Sequence, residues 1–245
     1  MSIPKPQSRI SLFDDTKVWL PLESNVNVFN RYLRHLGVGS RWTMADITSL
    51  EFDMLREIPT PAVAVLFLQP LTKNYEKYQV EMEEKADKQT REIDPDLYFM
   101  AQSIKNAAGT VALIHAVANN MEEINFEEVS MVREFITKSK GSNFLEKAQM
   151  LEQCAELREA HEQRANEGQT TIPDMDVDVP HHFVTFVNMK SRLYELDGLK
   201  TAPVKHGNTN KDSFLRDVAE VCKGHMKRDP NNMDFAAMAF HALEK

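Results

Sequence analysis

Cysteine is scarce in this chain: Cys154 and Cys222 are its two, and they form no CxxC pair. That excludes a disulfide framework and a zinc ribbon, and it fits a reducing compartment. The eight histidines show no HExxH spacing, so no metal is expected and no cofactor is called for. No apolar run approaches the roughly 20 residues that span a bilayer. The opening MSIPKPQSRI has no apolar signal core, so no secretion is expected. A long basic stripe is missing as well, and the formal charge is −8. Nucleic acid and anionic membranes are therefore not the expected partners. Neither an internal repeat nor a domain linker interrupts the chain.

What is present suits a globular domain. Hydrophobic residues make up 42% of 245, enough to bury a sizeable core. Residues 1–16 read as a flexible extension. Ser24 or Asn25 can cap a helix in which Val28, Phe29, Tyr32, Leu33 and Leu36 recur at helical spacing until Gly37. PAVAVLFLQP (61–70), valine-rich and bracketed by prolines, reads as a buried strand. Tyr75–Glu92 is heavily charged, a solvated loop or helix. Ala107–Val117 is apolar on every side apart from Thr110 and His115, which predicts a helix surrounded by protein and stopped at Asn119 and Asn120.

Two amphipathic helices are expected over 125–136 and 143–163. A long polar loop follows to Pro180. HHFVTFV (181–187) and RLYELDG (192–198) form a predicted hairpin joined by NMKS (188–191). A helix over 212–229 puts Phe214, Leu215, Val218, Val221, Cys222 and Met226 on one face. DFAAMAFHAL (234–243) fits strand or helix. Strands and helices mixed around one apolar helix indicate a single α+β domain.

The stretch QSIKNAAGTVALIHAV (102–117) is shaped like the approach to a catalytic centre, yet Ala108 occupies the place of a reacting atom. A cysteine there would sit at the N-terminus of a buried helix, whose dipole and free N–H groups favour a thiolate. Gly109 would let a substrate backbone come close. The Gln102 amide and the N–H of residue 108 could hold an oxyanion. The competing reading is a plain buried helix start with an incidental glutamine.

The hairpin bears on that choice. With the turn centred between Met189 and Lys190, Val187 faces Arg192, Phe186 faces Leu193, Val184 faces Glu195, and His182 stands directly opposite Asp197. Such partners share a face of the sheet, and the aspartate can fix the imidazole tautomer. A slip by one residue would separate them. Cys154, Cys222, His115, His161 and His181 read as structural residues.

At these residues the chain resembles the ubiquitin carboxyl-terminal hydrolases, cysteine peptidases of papain-like arrangement. WLPLESN (19–25), YFMAQSIKNAAGTVALIHAVANN (98–120), EGQT (167–170) and HHFVTFVNMKSRLYELDG (181–198) carry the likeness, with EVCKGHMKRDP (220–230) in support. The family motif is Gln, five residues, then Cys-Gly-Thr. The resemblance implies that Gln102 stabilises the oxyanion, Ala108 stands where the nucleophile belongs, His182 is the general base and Asp197 orients it.

It also implies a catalytic domain over 17–245 with a central, mostly antiparallel sheet flanked by helices. The chain path would be knotted, and residues 160–179 would form a crossover loop above the site. The implied partner is ubiquitin bearing a small or unstructured C-terminal adduct, with a ubiquitin-like modifier left open. Pro21, Leu22 and Glu23 are the implied substrate-binding residues. Glu23 and the loop acids Glu162, Glu167 and Asp174 are candidates to meet the arginine of the ubiquitin tail. A monomer is expected, acting in the cytoplasm, with the nucleus as an additional location. Because Gln102, His182 and Asp197 are all kept, the alanine reads as a deliberate Cys→Ala change that lets substrate bind uncut. The alternatives are a natural non-catalytic ubiquitin-binding pseudoenzyme and, more remotely, a structural protein on a peptidase fold.

Overall fold

A computed structural model describes residues 17–87, 94–168 and 180–243. Its elements run α1 (Val26–His35), β1 (Trp42–Asp46), α2 (Phe52–Leu55), β2 (Ala62–Pro70), α3 (Lys73–Asp87), α4 (Ala108–Ala118), α5 (Met131–Ser139), α6 (Phe144–Gln153), α7 (Ala155–Ala165), β3 (His181–Met189), β4 (Arg192–Leu196), β5 (Val204–Asn208), α8 (Phe214–Met226) and β6 (Ala236–Ala242). The six strands form one sheet in the order β1-β6-β2-β3-β4-β5, with every neighbouring pair antiparallel. The expected central antiparallel sheet flanked by helices is what the chain forms.

β2 reads as an unbroken apolar run because helices cover both of its faces. Ala64 and Leu66 join Phe183 and Val187 in a core with α1 and α4. Val65 and Phe67 join Val184 and Phe186 in a second core with Phe214, Val218 and Cys222 of α8. Every residue of α4 from Ala108 to Val117 is buried, as its all-round apolar character predicts. Truncating Leu113 or Ile114 in such a setting costs about 2–5 kcal/mol.

The helix ends follow local chemistry. Asn25 caps α1, its side chain accepting from the N–H groups of Asn27 and Val28. Gly37 ends that run at φ +81, and a Cβ there would lie 2.5 Å from backbone atoms of Val129 and Ser130, so both the turn and the close approach require glycine. The Asn119 side-chain amide donates to the carbonyls of His115 (2.8 Å) and Tyr98 (2.9 Å), which stops α4 where expected.

Other expectations need correction. The helix predicted over 125–136 begins only at Met131, because the Ser130 side chain accepts from the Arg133 N–H and so starts α5. The predicted helix 143–163 is two helices, broken at Cys154, whose ψ of 94 is extended. α7 then runs to Ala165, so the first residues of the expected loop are helical. Residues 169–179 of the expected crossover loop lie outside the described residues, as do the extension 1–16 and, with the loop, the expectation of a knotted path. The ambiguous DFAAMAFHAL forms β6 and sits between β1 and β2.

The hairpin also differs from its predicted register. Lys190 and Ser191 both have positive φ, 49 and 61, so the turn holds two residues and Met189 pairs with Arg192. The ladder is displaced by two residues from the predicted one, with Val187 on Tyr194 and Phe186 on Glu195. An even displacement preserves which side chains share a face. Val184 is next along the ladder beyond Thr185↔Leu196, opposite Asp197, so His182 is a diagonal neighbour of Asp197 and not its direct partner.

Candidate active site

His182 and Asp197 meet in spite of that displacement: His182 Nε2 lies 2.7 Å from Asp197 Oδ1, and both side chains are buried. The diagonal is short enough for an imidazole to span. Asp197 is fully engaged. Its Oδ1 also accepts from the Leu199 N–H (2.9 Å). Its Oδ2 accepts from the Tyr75 hydroxyl (2.9 Å) and the Gln79 amide (3.2 Å), with Lys200 Nζ 3.7 Å away. Burial by itself would push the Asp197 carboxyl up; the charge and hydrogen bond of His182, followed by Lys200, reverse that and hold it well below the usual carboxylate range. Asp197 is therefore an anion that aims the imidazole and stabilises its protonated form.

Gln102 is tied to this acid through the backbone. Its N–H donates to the Gly198 carbonyl at 2.8 Å, and its side-chain amide donates to the Ile104 carbonyl at 3.1 Å. The Gln102 Oε1 is buried with no partner. Ala108 is the first residue of α4 and keeps 8% of its surface, whereas Ala107 keeps none. No side chain caps that helix start, so its dipole faces the position unshielded.

Two glycines and a threonine bring these parts together. A Cβ on Gly198 would lie 2.9 Å from Gln102 Cβ and 3.2 Å from Val111 Cγ1, so the acid's loop packs on both Gln102 and α4. A Cβ on Gly109 would lie 3.1 Å from Leu22 Cδ1, which docks the stretch 19–23 on the start of α4. The Thr185 hydroxyl donates to the Ala112 carbonyl (2.8 Å) and locks β3 to α4. Leu22 is packed in the core, while Pro21 and Glu23 are half-buried beside it. Gly168, three residues past the end of α7, lies over Glu23: a Cβ there would sit 2.6 Å from Glu23 Oε2.

The loop acids divide. Glu167 is paired with Arg31 (2.6 Å) and Arg164 (2.8 Å) of its own chain, and Glu162 is exposed. Asp174 lies outside the described residues.

The histidines read as structural behave so. His115 accepts from the Met100 N–H (3.1 Å) and stacks on Phe99; burial lowers it to about 3. His161 bridges the Thr110 hydroxyl (2.7 Å) and the Leu20 carbonyl (2.6 Å), and burial lowers it to about 4. His181 is turned toward Asp234, 3.9 Å away. Burial pushes the Cys222 thiol well up, which suits a packed thiol and not a nucleophile.

Sequence reasoning missed the groups that hold Asp197. Tyr75 and Gln79 stand on α3, in the charged segment read as solvated; Tyr75 is buried. Their spacing of four residues puts them on one helix face, which was the available signal. Lys200 follows Asp197 by three residues and looks like an ordinary surface lysine.

The comparisons with known proteins agree along the chain. The profile described as ubiquitin carboxyl-terminal hydrolase, family 1, matches residues 19–227. A ubiquitin carboxyl-terminal hydrolase of Drosophila melanogaster is 39% identical over 93% of this chain and 99% of its own. Ubiquitin carboxyl-terminal hydrolase isozyme L1 of Rattus norvegicus is 38% identical, over 89% of this chain and 96% of its own. The fold is shared with the UCH37 catalytic domain of Trichinella spiralis, solved bound to ubiquitin vinyl methyl ester. That match has a TM-score of 0.71 at 22% identity and covers 92% of this chain and 96% of that one. From its profile, its relatives and its fold together, this chain belongs to the ubiquitin carboxyl-terminal hydrolase family.

Proposed function

We propose that the chain is a deubiquitinating thiol hydrolase disarmed at one position, one that binds ubiquitin without cutting it. The observation that carries this reading is the buried 2.7 Å contact between His182 and Asp197, kept intact in a chain whose α4 begins with only a methyl group at position 108. With sulfur at position 108, the dipole of α4 would favour the thiolate and His182 would take its proton. The thiolate would attack the carbonyl of the C-terminal glycine of ubiquitin. The Gln102 amide and the N–H of residue 108 would hold the oxyanion, His182 would return a proton to the leaving amine, and water would release the acyl group. The proposed substrates are ubiquitin with small or unstructured adducts. Support comes from Gly168, just past α7, which lies against Glu23, the neighbour of the Leu22 that packs on Gly109 of α4.

The test is Ala108→Cys, assayed on a ubiquitin C-terminal amide. Turnover is expected to appear, to fall sharply with His182→Ala, and to fall less completely with Gln102→Ala. A folded, ubiquitin-binding Ala108→Cys protein without turnover would overturn the reading in favour of a non-catalytic binding module. Calorimetry against ubiquitin showing no binding would remove both.

A further inference from the structure

A second carboxylate stands behind the first. Glu195 lies in β4 and Asp197 just past its end, two residues on, and both are wholly buried. Lys200 Nζ, also buried, lies 2.7 Å from Glu195 Oε1 and 3.7 Å from Asp197 Oδ2. Glu195 Oε2 lies 2.8 Å from His206 Nε2 and 3.1 Å from His225 Nε2. Arg228 reaches His225 Nδ1 and stacks 3.4 Å from the Tyr78 ring. A guanidinium can only donate, so His225 Nδ1 accepts and its Nε2–H points at Glu195.

Two anions and one cation are thus buried side by side, with His182 on the nearer anion. Every neighbouring element contributes to the cluster's surroundings. α3 brings Tyr75, Tyr78 and Gln79, with the Tyr75 hydroxyl raised well above its ordinary value by burial and then Asp197, so it stays a neutral donor. α4 brings the neutral His115. β5 brings His206, α8 brings Cys222 and His225, and Arg228 follows just past the end of α8. Among the described residues, Lys200 is the buried cation that reaches both carboxylates. Burial would lower its charge affinity, but Glu195 and Asp197 raise it, so it remains an ammonium.

We propose that Lys200 and Glu195 are positioning residues for the His182–Asp197 pair: Lys200 offsets the charge of Asp197, and Glu195 offsets Lys200, so that neither excess reaches the imidazole. Unit charges a few ångströms apart in a protein interior interact strongly enough that removing one is felt at the next. Loss of Lys200 leaves uncompensated negative charge, which favours protonated His182. Loss of the Glu195 charge removes one of the two anions and leaves Lys200 to Asp197 alone, which disfavours it. A pair that merely fills space would not produce effects of opposite sign.

The proposal rests on His182 as the general base, and its test has an arm that needs no turnover. In the Ala108 protein, the His182 ring is followed by NMR of the Cε1 position against pH, assigned with His182→Gln. Lys200→Met is expected to move the titration midpoint up by about one pH unit, Glu195→Gln to move it down by a similar amount, and the double variant to return it to within about a few tenths of the parent. In the Ala108→Cys background, the acid limb of kcat/KM is expected to move with the same signs. Single variants that both move the midpoint the same way, or folded singles that leave it in place, would overturn the proposal. If the singles do not fold, the charge-balanced double variant still decides, because a midpoint displaced by a full unit or more there would overturn it. An Ala108→Cys protein that fails to turn over refutes the hydrolase reading and leaves the NMR result intact.

Discussion

Gln102 and Gly198 meet backbone to backbone, the amide of one donating 2.8 Å to the carbonyl of the other. This contact joins the loop that ends in the oxyanion candidate to the loop that begins with Asp197. Gly198 has an ordinary φ, so its requirement is one of space and not of backbone freedom. Gly198→Ala is expected to force the two loops apart, at a cost of about 1–3 kcal/mol in denaturant-measured stability. In the Ala108→Cys background, kcat/KM should fall by about 100-fold, as misplacement by an ångström commonly does. Retained kinetics would show that the loops are free to adjust.

Tyr75→Phe removes one donor from Asp197 Oδ2 and leaves Gln79 and Lys200 in place. A hydrogen bond to a buried carboxylate is worth about 1.5–3 kcal/mol, so a loss of that size is expected in urea melts. Activity in the restored enzyme should drop several-fold, because the remaining partners still aim the acid.

Thr110 is the middle of a buried chain whose polarity can be deduced. The Leu20 carbonyl requires the proton of His161 on Nε2, so Nδ1 accepts from Thr110, and Thr110 in turn accepts from Tyr32, 3.0 Å away. Thr110→Val strands two buried partners and should cost about 2–4 kcal/mol, whereas Thr110→Ser should recover most of it. Equal stability of the two variants would refute the chain.

Acid should destabilise the fold in two windows. Burial depresses His115 to about 3 and His161 to about 4, from an ordinary 6.5. The unfolded chain therefore takes up protons first, and stability begins to fall below about pH 6.5. Asp197 and Glu195 are held well below the usual range by their partners against the opposing effect of burial, so their stabilisation is present above about pH 4 and is lost as pH falls further. Thermal melts across pH should show a decline that steepens near pH 4. His115→Gln, which takes up no proton, should flatten the part between about pH 6.5 and 4.

The sequence carried the site further than the details of the hairpin. The roles of Gln102 and Ala108 are implied by the family resemblance, whereas the meeting of His182 with Asp197 and the buried start of α4 were legible because strand alternation and an all-round apolar helix are both strong patterns. The hairpin turn was not, because Lys190 and Ser191 give no sign of the left-handed backbone they adopt. The error was harmless only because it was even. The break at Cys154 was hidden for a related reason: the helical pattern continues through it on both sides. The support around Asp197 was illegible because Tyr75, Gln79 and Lys200 come from segments whose charge suggests solvent, and only tertiary packing buries them.

The place of β6 has a consequence for biosynthesis. The final strand lies inside the sheet, and it is the one paired neighbour of β1 among the described residues. Translation therefore delivers the wedge that joins β1 to β2 after every other element described. A nascent chain halted after α8 would hold the His182–Asp197 pair yet leave β1 stranded, and a proteolytic nick just before Ala236 would undo the same seam.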